Sequence, residues 1–253
     1  MSINRELAHT LSAAHASGDT LVLPTVWDVW SAQIVEKAGF KFLSIGSHPV
    51  ANAIGGEDGE KMDFSHYMAI TRNIVESVSI PVSVDVESGY GLSPSDLLHR
   101  VAETGAVGAN IEDTVHVDGG RIRSAEEHAE YIAGVRAAAD ELDLEFVING
   151  RTDAMKHGES VFDDPEAEAI KRMKLMADAG ARSLYPVAAT SAEQIKRLVA
   201  ATNLPLNVTT DPIAQTPADL QGLKDLGVRR LTWGPKWQMG LGPVLSDTLK
   251  AWL

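Results

Sequence analysis

The chain has no cysteine among its 253 residues. That excludes a disulfide framework, a thiol nucleophile and any zinc site built on thiolates. Positive charge is scarce: 22 Lys and Arg stand against 35 Asp and Glu, for a formal net charge of -13. Such a balance argues against a nucleic-acid groove or an anionic membrane surface as the main partner. Small anions remain open as substrates, because a bound divalent cation and one arginine reverse the sign of a pocket locally. No apolar run is long enough to span a bilayer, and the polar, helical-looking segment Met1 to Gly18 carries no signal-peptide core. The expectation is therefore a cytoplasmic protein. No linker, low-complexity tract or charge run divides the sequence, so residues 1–253 are expected to form one domain. No Gly-x-Gly-x-x-Gly element follows the first strand-like run, which removes the best support for a dinucleotide-binding sheet.

What is present is regular alternation. Strand-like runs occupy 20–24, 41–45, 81–85, 107–112, 145–149, 182–186, 204–208 and 229–233. Helical patterns lie between them near 29–38, 65–77, 94–104, 124–142, 164–179, 191–201 and 217–226, and a last one is expected from about 244. Gly39, Gly105, Gly180 and Gly227 suit left-handed positions at helix ends. Ser93-Pro94 reads as an N-cap followed by proline at the first helical position, and Thr190 to Glu193 as a capping box. Eight strands alternating with helices in about 250 residues predict an α/β fold, a (β/α)8 barrel. A doubly wound open sheet is the competing architecture.

A barrel of this kind places its active site at the C-terminal ends of its strands. The polar residues of this chain gather there: Asp28, Gly46-Ser47-His48, Asp85 and Glu87, Glu112-Asp113, Arg151 and Asp153, Thr209-Thr210-Asp211, and Lys236. The most telling segment is Asp85-Val86-Glu87-Ser88-Gly89-Tyr90-Gly91. Residues i and i+2 of a strand point the same way, so Asp85 and Glu87 are expected to aim at one point. Carboxylates that converge repel one another unless a cation or shared proton lies between them. A polar strand end before a loop is the commoner meaning of one such pair. Two further acidic strand ends, Glu112-Asp113 and Arg151-Thr152-Asp153, strengthen the cation reading. Asp85, Glu87 and Glu112 suit a hard cation. No spaced histidine pair accompanies them, so Mg2+ is favoured over zinc. A rim of salt bridges without metal is the alternative. Arg151 is placed to neutralise that charge or to hold a substrate oxygen. The glycine-rich segment from Gly46 to Gly59 lets backbone amides approach an anion, with Gly46 and Ser47 as candidates to hold a carboxylate. Asp58 is either a turn residue or a catalytic, gating carboxylate.

These residues resemble the isocitrate lyase/phosphoenolpyruvate mutase superfamily from Pro24 to about Asp211. Asp85 to Gly91 looks like the family's Asp-x-Asp-x-Gly-Tyr-Gly, with Glu87 where Asp is usual. Ile111-Glu112-Asp113, Gly150-Arg151-Thr152-Asp153-Ala154 and Pro24 to Ala32 match further family segments in order. The resemblance implies a Mg2+ cofactor held directly by Asp85, with Glu87 and Glu112 acting through water. It implies a small α-oxo or α-hydroxy carboxylate held by Gly46, Ser47 and Arg151. It also implies cleavage or formation of a C–C or C–P bond through an enolate. An aspartate at position 87 should then be tolerated. The family's Cys-bearing gating motif is absent, and so are its Lys- and Asn-bearing loop and its glutamate after strand six. Thr114 to Arg121 and Tyr185-Pro186-Val187-Ala188 stand in their places. His116 is the candidate acid or base in the first of these. The readings are a C–C lyase or decarboxylase first, a phosphonomutase or phosphonopyruvate hydrolase second, and a non-catalytic oxo-acid binder third. Family members exchange the last helix between subunits, and the apolar stretch from Pro243 to Leu253 points the same way, to a homo-oligomer, dimer or tetramer.

Overall fold

In a computed structural model that describes residues 3–253, eight parallel strands close into a barrel. We number them β1 (Leu21–Leu23 continuing as Thr25–Val26 past Pro24), β2 (Leu43–Ile45), β3 (Val82–Asp85), β4 (Gly108–Ile111), β5 (Val147–Thr152), β6 (Ser183–Pro186), β7 (Asn207–Thr209) and β8 (Arg230–Thr232). The second part of β1 starts the run β1-β2-β3-β4-β5-β6, and its first part pairs with β8, which pairs with β7. A parallel bridge between Leu184 and Leu206 joins β6 to β7 and completes the ring. Pro24 explains the break in β1: proline has no amide proton to give the ladder.

The helices form where cap chemistry and apolar spacing agree. Ser93 accepts from the Asp96 amide, with Pro94 opening α5 (Pro94–Ala102). Gly39, Gly105, Gly180 and Gly227 all adopt left-handed backbone at or beside helix ends. Some expectations are corrected. The cap of α9 (Ala192–Ala200) is Ser191, not Thr190, and it is the Gln194 side chain that returns to the Thr190 amide at 3.2 Å. The last helix, α11 (Lys236–Lys250), begins earlier than residue 244 and runs through Pro243. The glycine-rich segment after β2 contains a helix, α3 (Ser47–Ala53), and a four-residue helix, α7 (Ala154–His157), follows β5. Strand β5 ends three residues later than expected, so Arg151 lies within it.

At the N-terminal end of the barrel, α1 (Arg5–Ala16) buries Ala8, Leu11, Ser12 and His15. The barrel interior is not the purely aliphatic packing usual for this architecture. Its centre is Arg230, wholly buried, whose guanidinium donates to Asn110 Oδ1 at 3.2 Å, Asn207 Oδ1 at 3.1 Å and Ser83 Oγ at 3.4 Å. Asn149 and Ser183 extend this layer, with Asn149 donating to Asn110 at 2.8 Å and Ser183 to Asn149 at 2.7 Å. A buried cation needs such acceptors to offset its lost hydration. Among the described residues no helix is long and apolar enough to cross a membrane.

Candidate active site

A cavity of about 260 Å³ opens at the C-terminal ends of the strands. Of the residues singled out from sequence, Gly46, Ser47, His48, Asp58, Asp85, Arg151 and Thr209 line it. Glu87, Glu112 and His116 do not; they stand behind Asp85 in a connected layer.

The reason Glu87 leaves the cavity is local. Strand β3 ends at Asp85, and Glu87 has a φ of 51°, so the i, i+2 rule for strands no longer applies. The expectation that both carboxylates aim at one point is corrected here. Glu87 turns inward and accepts from the Glu60 amide at 2.7 Å and the Tyr90 hydroxyl at 2.7 Å. Its own amide donates to Asp85 Oδ1 at 3.0 Å. Tyr90 and Glu60 are also left-handed, at 54° and 59°. Non-glycine residues in this region carry strain that only surrounding contacts maintain. Those contacts converge on Glu60, which accepts from Ser88 Oγ at 2.6 Å, the Tyr90 amide at 2.7 Å and the Val117 amide at 2.9 Å. Glycine at 89 is required twice over: φ is 108°, and a Cβ there would collide with the Tyr131 hydroxyl.

Arg151 organises the charges. Its Nε and Nη2 grip Asp153 at 2.8 and 3.0 Å, Nη1 contacts Glu112, and Asp85 lies 3.8 Å away. Glu112 accepts from, or pairs with, His116 Nε2 at 2.7 Å, with Glu87 3.9 Å from the same nitrogen. Asp113, the next residue, is structural: it receives Thr152 Oγ1 at 2.6 Å, the Asp153 amide at 2.8 Å and Arg172 at 2.9 Å. Asp28 likewise caps α2 (Val29–Lys37) through the Ser31 amide.

The electrostatics follow from crowding and burial. Burial pushes Glu87 up to about 8, helped by Asp58, Asp85 and Glu112. It pushes Glu112 up to about 7 against the opposing pull of Arg151, and it raises Asp85 too. Burial would also raise Asp153, but Arg151 and Lys156 more than offset it and hold that carboxyl low. The hydrogen bond to Glu112 raises His116. Among the described residues, two buried carboxylate oxygens have no hydrogen bond, Asp58 Oδ1 and Glu112 Oε2, and the latter is ion-paired with Arg151. Among the described residues, no three His, Asp or Glu side chains converge as ready-made metal ligands.

Sequence reasoning missed several residues on the cavity wall. Asn110 and Tyr185 are strand positions, and the register that sets Asp85 beside Asn110 and Arg151 beside Tyr185 emerges only on pairing. Tyr185 hydrogen-bonds Thr209 across two strands. Lys156 reaches the cavity from α7 and pairs with Asp153 at 3.0 Å. His48, which the sequence already placed on the rim, lies 3.4 Å from Asp58. The Pro49-containing helix after β2 was concealed by its glycine-rich flank.

Comparison with known proteins agrees with this geometry. A family profile described as phosphoenolpyruvate phosphomutase matches residues 11–252. A Corynebacterium glutamicum protein provisionally named 2-methylisocitrate lyase 2 is 28% identical over 88% of this chain and 73% of its own. An oxaloacetate decarboxylase of Bradyrhizobium sp. (strain ORS 278) is 28% identical over 98% of this chain and 85% of its own. Among solved structures, a Burkholderia cenocepacia J2315 protein provisionally described as a phosphonomutase superposes with a TM-score of 0.88 at 34% identity, covering 97% of this chain and 99% of that one.

Proposed function

The chain belongs to the phosphoenolpyruvate mutase/isocitrate lyase superfamily of enzymes, and we propose that it is a Mg2+-dependent lyase or decarboxylase that cleaves or forms a C–C bond of a small α-oxo or α-hydroxy carboxylate through an enolate. The observation that carries this reading is the meeting of Asp85 and Arg151 on one small cavity, backed by the buried carboxylates Glu87 and Glu112. The donor set is hard oxygen throughout. Burial and mutual repulsion hold its carboxyls high, and Asp58 Oδ1 on the cavity wall stands without a hydrogen bond. That fits Mg2+, which takes one or two carboxylates and keeps several waters. Asp85 would be the direct ligand, with Glu87 and Glu112 holding waters. When bound, the cation would stabilise negative charge developing on the substrate's carbonyl oxygen.

The chain's own residues supply the rest. Arg151, clamped by Asp153, presents a fixed guanidinium to a substrate oxygen. Gly46 and Ser47 are assigned the substrate carboxylate, at the start of α3, where no side chain caps the backbone. For the proton, Asp58 is favoured over His116. Asp58 lines the cavity with Oδ1 unpartnered, whereas His116 is engaged by Glu112 behind it. Tyr90 is committed to Glu87. The family likeness to a provisionally described phosphonomutase, and the cation of Lys156 on the cavity, support C–P chemistry as the second reading.

The exposed apolar side chains of α11 and the residues after it support a homo-oligomer in which that helix packs on, or exchanges with, a second copy. Leu245, Leu249 and Trp252 are 63, 69 and 89% exposed. The test of function is a screen of oxo acids, hydroxy acids and phosphonates with Mg2+ and with EDTA. Release of pyruvate or CO2 that EDTA stops is expected. Turnover confined to phosphonates would establish the second reading, and turnover indifferent to EDTA would defeat the metal assignment.

A further inference from the structure

A second cavity lies at the opposite, N-terminal end of the barrel. Its volume is about 340 Å³, and its wall carries Arg136, Arg182 and Arg229 together with His15, Ser12 and Asn203. Three guanidiniums around one hollow are conspicuous in a chain of net charge -13. No carboxylate stands among the residues described as lining it. Arg136 is partly committed, to Asp140 at 3.0 Å and to the carbonyls of Phe146 and Leu144. Glu145, near Arg182, is engaged by His9 at 2.7 Å.

His15 adds a second, independent feature. It is 6% exposed, and its Nδ1 lies 2.8 Å from the Leu11 carbonyl oxygen. A carbonyl can only accept, so Nδ1 carries the proton. Burial, with Arg230 and Arg182 nearby, keeps the ring neutral. Nε2 has no partner and is itself enclosed. The cavity thus offers guanidinium donors for anionic oxygens, and His15 on its wall adds no charge of its own.

We propose that this cavity is a second binding site, distinct from the rim, for a small oxyanion, a phosphate or a carboxylate. The planar fork of arginine matches both.

Calorimetric titration of the metal-free full chain with phosphate, and separately with succinate, at constant ionic strength is expected to show saturable binding of at least one of them. Combining Arg182→Gln with Arg229→Gln should weaken that binding by about tenfold or more. Should the double variant fail to fold, Arg229→Gln alone, an exposed residue on the cavity wall, must still weaken it measurably. Absence of binding by both anions, or binding unchanged by the arginine substitutions, overturns the site.

Discussion

Replacing Arg151 by alanine is expected to damage folding as well as catalysis. The side chain is 14% exposed and contacts Asp153 and Glu112, whose side chains are 0 and 2% exposed. Asp85, at 3.8 Å, completes the set. Without the guanidinium, Asp153 keeps Lys156, itself half exposed, and Glu112 keeps His116. Removing one member of a buried ion pair costs about 3–5 kcal/mol, because the remaining charge has lost its hydration and its partner. Total stabilities are of order 5–15 kcal/mol, so the variant is left marginal. Activity should fall separately: a charge-assisted bond that strengthens in the transition state contributes about 2–4 kcal/mol, roughly 30- to 1,000-fold in kcat/KM. Urea unfolding, with the midpoint compared at unchanged slope, reads the first effect. Kinetics well below the unfolding temperature read the second. Arg151→Lys retains the charge but not the fork, and should recover more stability than activity. An alanine variant whose midpoint moves by less than the equivalent of about 0.5 kcal/mol would refute the argument that this arginine holds the carboxylates together. Undiminished kcat/KM would remove it from the substrate site.

Asp85→Ala should abolish Mg2+ binding in calorimetry together with turnover; normal Mg2+ affinity in that variant contradicts the ligand assignment. Glu87→Asp, expected from the family motif to be tolerated, should instead lose about 1–3 kcal/mol, because the shorter arm cannot keep both the Glu60 amide and the Tyr90 hydroxyl at 2.7 Å; an unfolding midpoint equal to the natural chain's would show that the turn adapts. His128 is wholly buried, donates from Nε2 to the Arg151 carbonyl, and is lowered by burial to about 4. Its depressed value means that stability is present above its unfolded value near 6.5 and is lost as pH falls toward 4, by up to about 1.4 kcal/mol per pH unit. The difference in stability between the natural chain and His128→Gln should therefore change across that window, and a constant difference would be inconsistent with a neutral buried ring. In sedimentation at micromolar concentration the chain should be a dimer or tetramer, dissociated by Leu245→Asp with Leu249→Asp; a monomeric natural chain would count against an interface at α11.

The barrel itself was legible in the sequence, because burial of both sheet faces forces short apolar runs and the helices between them carry caps and terminal glycines. Ser93-Pro94 and the four helix-ending glycines fall where local chemistry required. The rim was legible for a related reason: a strand of fixed direction puts Asp85, Glu112 and Arg151 at one end, whatever the side-chain details. Local sequence did not determine where each charge points. Whether Glu87 faces the cavity depended on a left-handed turn held by Glu60, 27 residues earlier in the chain. Asn110 and Tyr185 became cavity residues only through strand register, and Arg230, expected as an ordinary strand residue, became the buried centre of the barrel through acceptors drawn from three other strands. Periodicity and capping act over a few residues and can be read along the chain. Register, burial of charge and the partners of a carboxylate are settled between segments far apart, so only the closed barrel decided them.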